Sequence, residues 1–596
     1  MNKELSSEVS EFKLVNGSRV AVIGGGPSGS LFSFFLLRLA ERMEIERLKI
    51  DIYEQKDFSK FGAPGCNHCG GIISESLVQL LSSEGINIPQ DVLQRGIDSY
   101  VMHMEAGSAR IDTPLNEKRI AAVFRGSGPR GTVGEGWRSF DGYLLDLAVD
   151  KGATVITEKV KNIELKDGRP EVTTKSGETA SYDLVAGCVG LLDSSLKLFK
   201  DMGFGYTPPA TTKTFICEFH LGEEKVSEYF GSSMHVFLID IPNLVFAALI
   251  PKGDFVTMVL LGKKIDKELV DAFLDNPEVK GCFPPGWDMS TGYPCQCYPK
   301  INVKSAVRPY SDRVVMIGDC ATSKLYKNGI GAAYITAKSA ATTSIFYGIS
   351  KKDFENHYWR VCRSISRDNA FGKFIFLFTG LIQKLGFLKR GILLNVQSEQ
   401  KKENKNRILS MVLWDTFTGS AAYMNIFMRT LKPAFGINLV KETIIGLFKI
   451  ERISGDMKKI ENSGHLGKIY ADGEYVIKEG EEGDCMFVIQ SGTLEVYQSK
   501  NGKEVFLTEL HKDEFFGEMA LFEKETRSAS VRAKGEAEIM TVDKKALLGR
   551  IQDDPSLAFG IIEKMSSRIR KLNTQVSRMK GSDRRNWDSR PEKLDD

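Results

Sequence analysis

RVAVIGGGPSGS, residues 19–30, decides the architecture of this chain. Arg19–Ile23 is a short β-branched apolar run that reads as a buried strand. Gly24, Gly26 and Gly29 follow at G-x-G-x-x-G spacing, and Ser30–Ala40 reads as a buried helix. The first glycine permits the tight turn, the second lets a pyrophosphate approach the backbone, and the third lets helix pack on strand. The helix N-terminus then offers N–H groups and the positive end of a dipole to an anion. A second strand, Lys49–Tyr53, ends at Glu54, whose carboxylate suits the two hydroxyls of a ribose. The acid stands further from the glycines than the usual ~20 residues, and ERMEIERL (41–48) supplies the difference as extra helix. Strand, glycines, helix and acid together predict a dinucleotide site on a parallel sheet.

A second motif lies far downstream. RVVMIGDCATSKLYKNGIGAAYITAKSAA (313–341) reads as strand, Gly318-Asp319, Gly329-x-Gly331 and a small-residue helix. Asp319 can accept from a ribityl hydroxyl. Gly331 opens a helix whose first amides can face the pyrimidine carbonyls of a flavin, where reduction places negative charge. The pair of motifs favours FAD over a nicotinamide dinucleotide.

With these residues in place, the chain over about residues 18–430 resembles the p-hydroxybenzoate hydroxylase-like flavoprotein superfamily, and within it the geranylgeranyl reductase-like branch. Arg138-Ser-Phe-Asp141 is similar to an element whose arginine lies near the FAD pyrophosphate, so the resemblance implies that role for Arg138. It also implies that Cys69-Gly70-Gly71, in FGAPGCNHCGGIIS (61–74), faces the isoalloxazine. His68 beside the thiol makes Cys69 and His68 candidates for proton delivery. The branch's substrate signature survives as Pro251-Lys252, with Ala248 in place of a tryptophan. In the middle motif Val189 stands where hydroxylases carry an acid. A zinc site needs a second pair besides Cys66 and Cys69, and Cys295-x-Cys297, over 200 residues away, lacks the usual zinc-knuckle spacing, so no metal is expected.

Composition bounds the rest. The 596 residues are 42% hydrophobic and 26% charged, as in globular protein. Lys plus Arg number 80 against 77 Asp plus Glu, a balance that gives no electrostatic case for nucleic acid. Ten cysteines in such a length are not a disulfide framework, and the N-terminus has no apolar signal core, so a reducing cytoplasmic setting is expected. The stretch KFIFLFTGLIQKLGFLKRGILL (373–394) interleaves bulky apolar residues with Lys373, Lys384, Lys389 and Arg390. It reads either as an interfacial helix with peripheral membrane contact or as a covering helix with a solvated charged face.

Short β-like runs separated by glycines return near residue 459. FGEMALFEKETRSASVRA (516–533) then resembles the phosphate-binding cassette of cyclic nucleotide-binding domains. By that resemblance Gly517, Glu518 and Ala520 open a short helix toward a cyclic phosphate. Arg527 forks onto its oxygens, Glu518 accepts the ribose 2′-hydroxyl, and Ser528 is placed to help hold a purine. Gly473, Gly480, Gly483 and Gly492 mark the turns of the roll.

The expected architecture is therefore an α/β FAD-binding (Rossmann-like) domain with an interleaved antiparallel β substrate domain (1–350), an α-helical extension (351–458), a C-terminal β-roll (459–580) and a disordered tail (581–596). The expected activity is FAD-dependent reduction of C=C bonds in a hydrophobic, lipid-like substrate, governed by cAMP or cGMP. NAD(P)H or a reduced protein would be the electron donor. An FAD monooxygenase, against which Val189 argues, and a non-catalytic flavin and cyclic-nucleotide sensor are the alternatives.

Overall fold

A computed structural model describes residues 12–113, 117–129, 137–287, 295–401, 407–448, 452–453, 465–500, 503–519, 526–544 and positions scattered from 547 to 574. Two compact units emerge: Met1–Leu77 with Ile88–Leu466, and Val78–Asn87 with Gly467–Asp596.

The first unit is built on a six-stranded sheet in the order Tyr310–Ser311, Val314–Met316, Leu184–Gly187, Arg19–Ile23, Lys49–Tyr53, Thr154–Ile156. All neighbours are parallel except the terminal hairpin. The central strands are buried on both faces, which is why RVAVI and LVAG are apolar runs without alternation. Helices Pro27–Arg42 and Gly329–Phe346 pack together through Phe35 and Tyr334, whose ring centres lie 5.5 Å apart. The first helix stops at Arg42, and Glu44 and Arg47 take left-handed backbone beyond it. The additional length before Glu54 is thus a loop, not the expected continuation of the helix. A three-stranded antiparallel meander, Val160–Lys166, Arg169–Thr174 and Thr179–Ser181, completes this half.

The interleaved half is an eight-stranded sheet running Cys295–Cys297, Ala210–His220, Phe255–Gly262, Leu244–Lys252, Ser233–Phe237, Ser99–Met104, Gly107–Asp112, with Lys300–Lys304 also on Ala210–His220. Only the junction of Ser233–Phe237 with Ser99–Met104 is parallel. Side chains alternate faces along each strand. Phe215, Cys217, Phe219, Leu249 and Leu260 enter one core, capped by helix Lys267–Leu274. Tyr100, Met102, Ala248 and Ile250 enter another with Leu393, Val396, Trp414 and Phe417 from helices Gly386–Gln400 and Ile408–Thr418. The helices read as an extension therefore complete the core of this sheet, within one unit that runs to Leu466.

The second unit is an antiparallel sheet of Lys468–Tyr470, Ser530–Asp543, Cys485–Lys500 and Lys503–His511, with Tyr475–Ile477 and Phe515–Phe516 at its sides. Gly492 does not turn the chain, contrary to the sequence reading. It sits at φ +87° inside the long strand, where the register shifts between Ile489 and Ser491 and between Ser491 and Thr493. A glycine at positive φ makes a bulge here, and one bent strand replaces two short ones. The tail beyond residue 580 lies outside the described residues, as does much of Pro555–Met579.

Candidate functional sites

The glycine turn is built as its spacing predicts. Gly24 has φ +107°, and a Cβ there would lie 2.5 Å from the Cys188 carbonyl oxygen. At Gly29 a Cβ would lie 1.9 Å from the Gly24 carbonyl oxygen, so only glycine lets helix meet strand. Gly26 caps the helix, and a Cβ there would meet only Asn67 Nδ2, at 3.5 Å. That opening is the approach a pyrophosphate needs. Glu54 accepts from the Gly25 N–H at 2.9 Å and the Lys56 N–H at 2.8 Å, which fixes its carboxylate beside the turn with lone pairs to spare.

The downstream motif folds onto the same place. At Gly318, φ +79°, a Cβ would lie 2.2 Å from Ser28 Oγ in the first turn of the first helix. Asp319 is half-buried; its desolvation raises its carboxyl, while a hydrogen bond from Ser323 and the charge of Arg125 draw it back. Asn328, in left-handed backbone, caps the second helix by accepting from the Gly331 N–H at 3.0 Å. A Cβ on Gly331 would strike that cap at 2.3 Å. Gly331 thus serves the cap, and its own N–H is already engaged, which differs from the expectation that it faces a ligand.

The Cys66–Gly71 loop lies on the face of the eight-stranded sheet that carries Ile250 and Val259. A Cβ on Gly70 would touch both, and one on Gly71 would lie 2.9 Å from Lys252 Nζ. Buried Lys252 pairs with Glu218 at 3.9 Å and covers the Phe124 ring. Cys295 and Cys297 stand opposite Glu218 and Ile216 in register, on this same face. The Cys297 thiol is pushed up to about 12, first by burial and then by Cys66, Cys295, Glu218 and Cys69 around it. Folding therefore gathers two cysteine pairs that are far apart in sequence, without making them a compact ligand set. The described residues do hold one tight group, His103, His235 and Cys282, in the sheet's other core, where His103 Nε2 and His235 Nδ1 share a 2.9 Å hydrogen bond.

Arg125 was not singled out by sequence. Its guanidinium grips buried Asp141 through Nε at 2.5 Å and Nη2 at 2.7 Å, and it faces Cys69. Burial opposes its charge, but Asp141 and Cys69 outweigh burial and keep it protonated. Asn67 donates to Asp141 as well, and Lys56 Nζ donates to Asn67 Oδ1 at 2.7 Å. His68 is held neutral by burial and then by Lys56 and Arg125, and its buried Nδ1 has no hydrogen-bond partner. The cation set beside Cys69 is thus Arg125. Arg138 is partly exposed and bonded to Asp146 at 2.6 Å.

Lys327 is the second residue that sequence reading passed over. Its Nζ is buried without a hydrogen-bond partner and lies 5.2–5.5 Å from the ring centres of Phe417, Phe246 and Phe376. Burial pulls its ammonium down to about 7. A lysine between Tyr326 and Asn328 gives no periodic signal, because its three rings come from three distant elements.

In the second unit, Arg527 is buried and donates to the Gly517 carbonyl at 2.8 Å and the Cys485 carbonyl at 2.9 Å. A Cβ on Gly517, φ +75°, would lie 2.6 Å from Arg527 Nη1, so that glycine makes room for the arginine. Neutral carbonyls orient the guanidinium without cancelling its charge, and it has no ion pair among the described residues. Glu518 is buried and pairs with Arg568 at 3.2 Å. Ser528 Oγ is exposed, 3.8 Å from Met519 Sδ, and Ala520 lies outside the described residues.

Residues 468–554 match the family model described as cyclic nucleotide-binding domain. Over 88 residues the chain is 41% identical to a cAMP-dependent protein kinase regulatory subunit of Blastocladiella emersonii, covering 14% of this chain and 22% of that one. Over 114 residues it is 35% identical to a cGMP-dependent protein kinase of Caenorhabditis elegans, covering 18% and 14%. The chain thus spans well under a quarter of the length of these curated relatives. Among solved structures, a geranylgeranyl bacteriochlorophyll reductase-like protein of Thermoplasma acidophilum aligns with 72% of this chain and all of its own, at 13% identity and TM-score 0.45. A flavoprotein/dehydrogenase of Cytophaga hutchinsonii aligns with 72% of this chain and 99% of its own, at 12% identity and TM-score 0.47.

In the cyclic nucleotide-binding domain, Arg527→Ala is expected to weaken binding of a cyclic nucleotide by about 1.5–3 kcal/mol, roughly ten- to a hundredfold, the worth of a hydrogen bond to a charged group. Calorimetry on wild type and variant checks it, and equal affinities would remove Arg527 from the phosphate site.

Proposed function

We propose that the first unit is an FAD-dependent oxidoreductase that reduces C=C bonds of a hydrophobic substrate, and that cyclic nucleotide binding in the second unit regulates it. The observation that carries this reading is the meeting of two distant motifs: the Gly318–Asp319 turn sits against Ser28 in the glycine turn of the first strand. In open α/β sheets the crevice at the strands' C-terminal ends is the ligand site. FAD, when bound, supplies two-electron oxidation and reduction at its ring.

The chain's own residues divide the remaining work. The Gly24–Gly29 turn and the helix N-terminus bind phosphate oxygens, Glu54 holds a ribose, and Asp319 accepts from a polyol hydroxyl. Cys69, set beside the Arg125 guanidinium, is the candidate for proton delivery to the ring. Phe246, Phe376 and Phe417 surround the Lys327 Nζ with apolar rings, surroundings that would suit an apolar substrate. The donor would be NAD(P)H or a reduced protein, and the effector cAMP or cGMP.

The test is flavin absorbance of the purified, folded chain, before and after adding FAD. Persistent absence of a bound flavin would defeat the reading. Reduction rates with and without each cyclic nucleotide test regulation, where coupling of the usual size shifts rate or affinity roughly 5–150-fold. Cys69→Ser is expected to lower turnover while FAD occupancy stays at the wild-type level. Unchanged turnover would return the loop to a packing role.

A further inference from the structure

Helix Trp359–Lys384 has a conventional inner face: Phe371, Ile375 and Phe376 pack with Tyr423, Ile426 and Val412. Its outer face is just as apolar. Phe374, Leu377, Phe378 and Leu381 recur at the spacing of a helical stripe, with Leu377 74% and Phe374 61% exposed. Two adjoining helices repeat the pattern. Tyr423–Thr430 turns Met424 and Met428 outward, followed by Leu431, and Pro433–Phe448 turns Ile437, Val440, Ile444 and Leu447 outward, with Ile437 67% exposed. An ordinary surface helix turns such stripes inward, and exposed apolar stripes on three adjoining helices point to an interaction site.

The charges around the stripes are one-sided. Lys373, Lys384, Lys432 and Lys441 are exposed, and across residues 371–384, 423–430 and 433–447 the single acid is Glu442. One helix also carries its own basic shelf. At 3.6 residues per turn, Arg360, Arg363 and Arg367 fall on the same face as Phe374, Phe378 and Leu381. With Asn356 the three arginines line a pocket of about 320 Å³. Guanidinium groups at that spacing suit phosphate oxygens. Among the described residues no single helix is long and apolar enough to cross a membrane, and the chain bends by 107° between Lys384 and Gly386. Apolar stripes, a cationic rim and the sharp bend after Lys384 suit an element that lies in an interface.

We propose that these three helices form a docking face that seats in the plane of a phospholipid bilayer bearing anionic headgroups, with Arg360, Arg363 and Arg367 holding headgroup phosphates. This face is independent of the flavin chemistry, and it would bring an apolar substrate to the chain directly from the lipid phase.

The experiment is co-sedimentation of the full chain with phosphatidylcholine vesicles, with and without phosphatidylglycerol. Wild type is expected to pellet with the anionic vesicles and to be released by salt. Leu377→Glu with Val440→Glu, both at exposed positions, should lower the bound fraction about tenfold, while the melting temperature, flavin content and cyclic nucleotide binding stay unchanged. Arg360→Gln with Arg363→Gln and Arg367→Gln should erase the preference for phosphatidylglycerol. Wild type remaining in the supernatant with both vesicle types, or the double glutamate variant pelleting as before, would overturn the docking face. A dimer that the glutamate variant splits, with no vesicle binding, would overturn it in favour of a second copy of the chain.

Discussion

Gly29→Ala is expected to abolish flavin retention and to destabilise the first unit. The new methyl group would lie 1.9 Å from the Gly24 carbonyl oxygen and 3.0 Å from Val22 Cγ1. The nearer obstacle is backbone and cannot rotate away, so strand Arg19–Ile23 and helix Pro27–Arg42 must separate. Overpacking of this sort costs about 1–3 kcal/mol or more. It would also loosen the bonds that shape the turn, Gly24 N–H to the Tyr53 carbonyl at 2.9 Å and Ser30 Oγ to the Gly25 carbonyl at 2.8 Å. Gly26→Ala is the informative companion. Its methyl group makes only ordinary contact with Asn67, so the free protein should melt as wild type does, yet the methyl occupies the approach that a pyrophosphate uses. Melting curves and flavin absorbance should therefore separate: Gly29→Ala loses both, Gly26→Ala loses flavin alone. A Gly26→Ala protein that holds FAD as wild type does would show that the pyrophosphate does not enter there.

What was legible in the sequence was local. Strand, glycine turn, helix and acid are neighbours in the chain, and each constrains backbone shape, so Gly24, Gly29 and Glu54 could be placed before any coordinates. The cassette glycine and arginine were legible for the same reason, since Gly517 makes room for Arg527 ten residues on. What depends on distant elements was not legible. Arg125 follows an unremarkable strand, and its importance comes from Asp141, Asn67 and Cys69 converging on it. Cys295 and Cys297 were set aside by distance in sequence, and only the register of their strand against Ala210–His220 brings them to the loop thiols. The helices after residue 359 are apolar on two faces, and periodicity alone could not say which face the sheet would cover. Around Gly492 a glycine that reads as a turn became a bulge because both flanking segments found the same partner strand.

Lys327→Met is expected to stabilise the first unit, most at neutral and acid pH. The wild-type ammonium is buried without a hydrogen bond, and burial lowers it from 10.5 to about 7. The folded state therefore binds this proton less tightly than the unfolded chain does. Between about pH 7 and 10.5 the unfolded state holds more protons, so wild-type stability rises with pH across that window, and below it the whole penalty applies. The size of the shift corresponds to about 5 kcal/mol as an upper bound. The faces of Phe246, Phe376 and Phe417 return part of it, about 0.5–2 kcal/mol for each favourable cation–ring contact. Methionine keeps the length of the side chain, needs no partner and packs well on aromatic rings. The melting temperature of the variant should exceed that of wild type at pH 6, and the difference should shrink toward pH 10. Parallel curves would mean that Lys327 does not titrate inside the fold. The loop itself is costly too, since Tyr326 and Asn328 on either side take φ +62° and +53°, backbone that a bulky aromatic rarely adopts. A base whose Nζ is buried among three rings, one residue before the cap of the helix that meets the dinucleotide turn, is a candidate proton-holding group. The stabilised Lys327→Met protein is accordingly expected to keep its flavin and lose turnover, and full turnover across pH 6–9 would leave the lysine without a part in the chemistry.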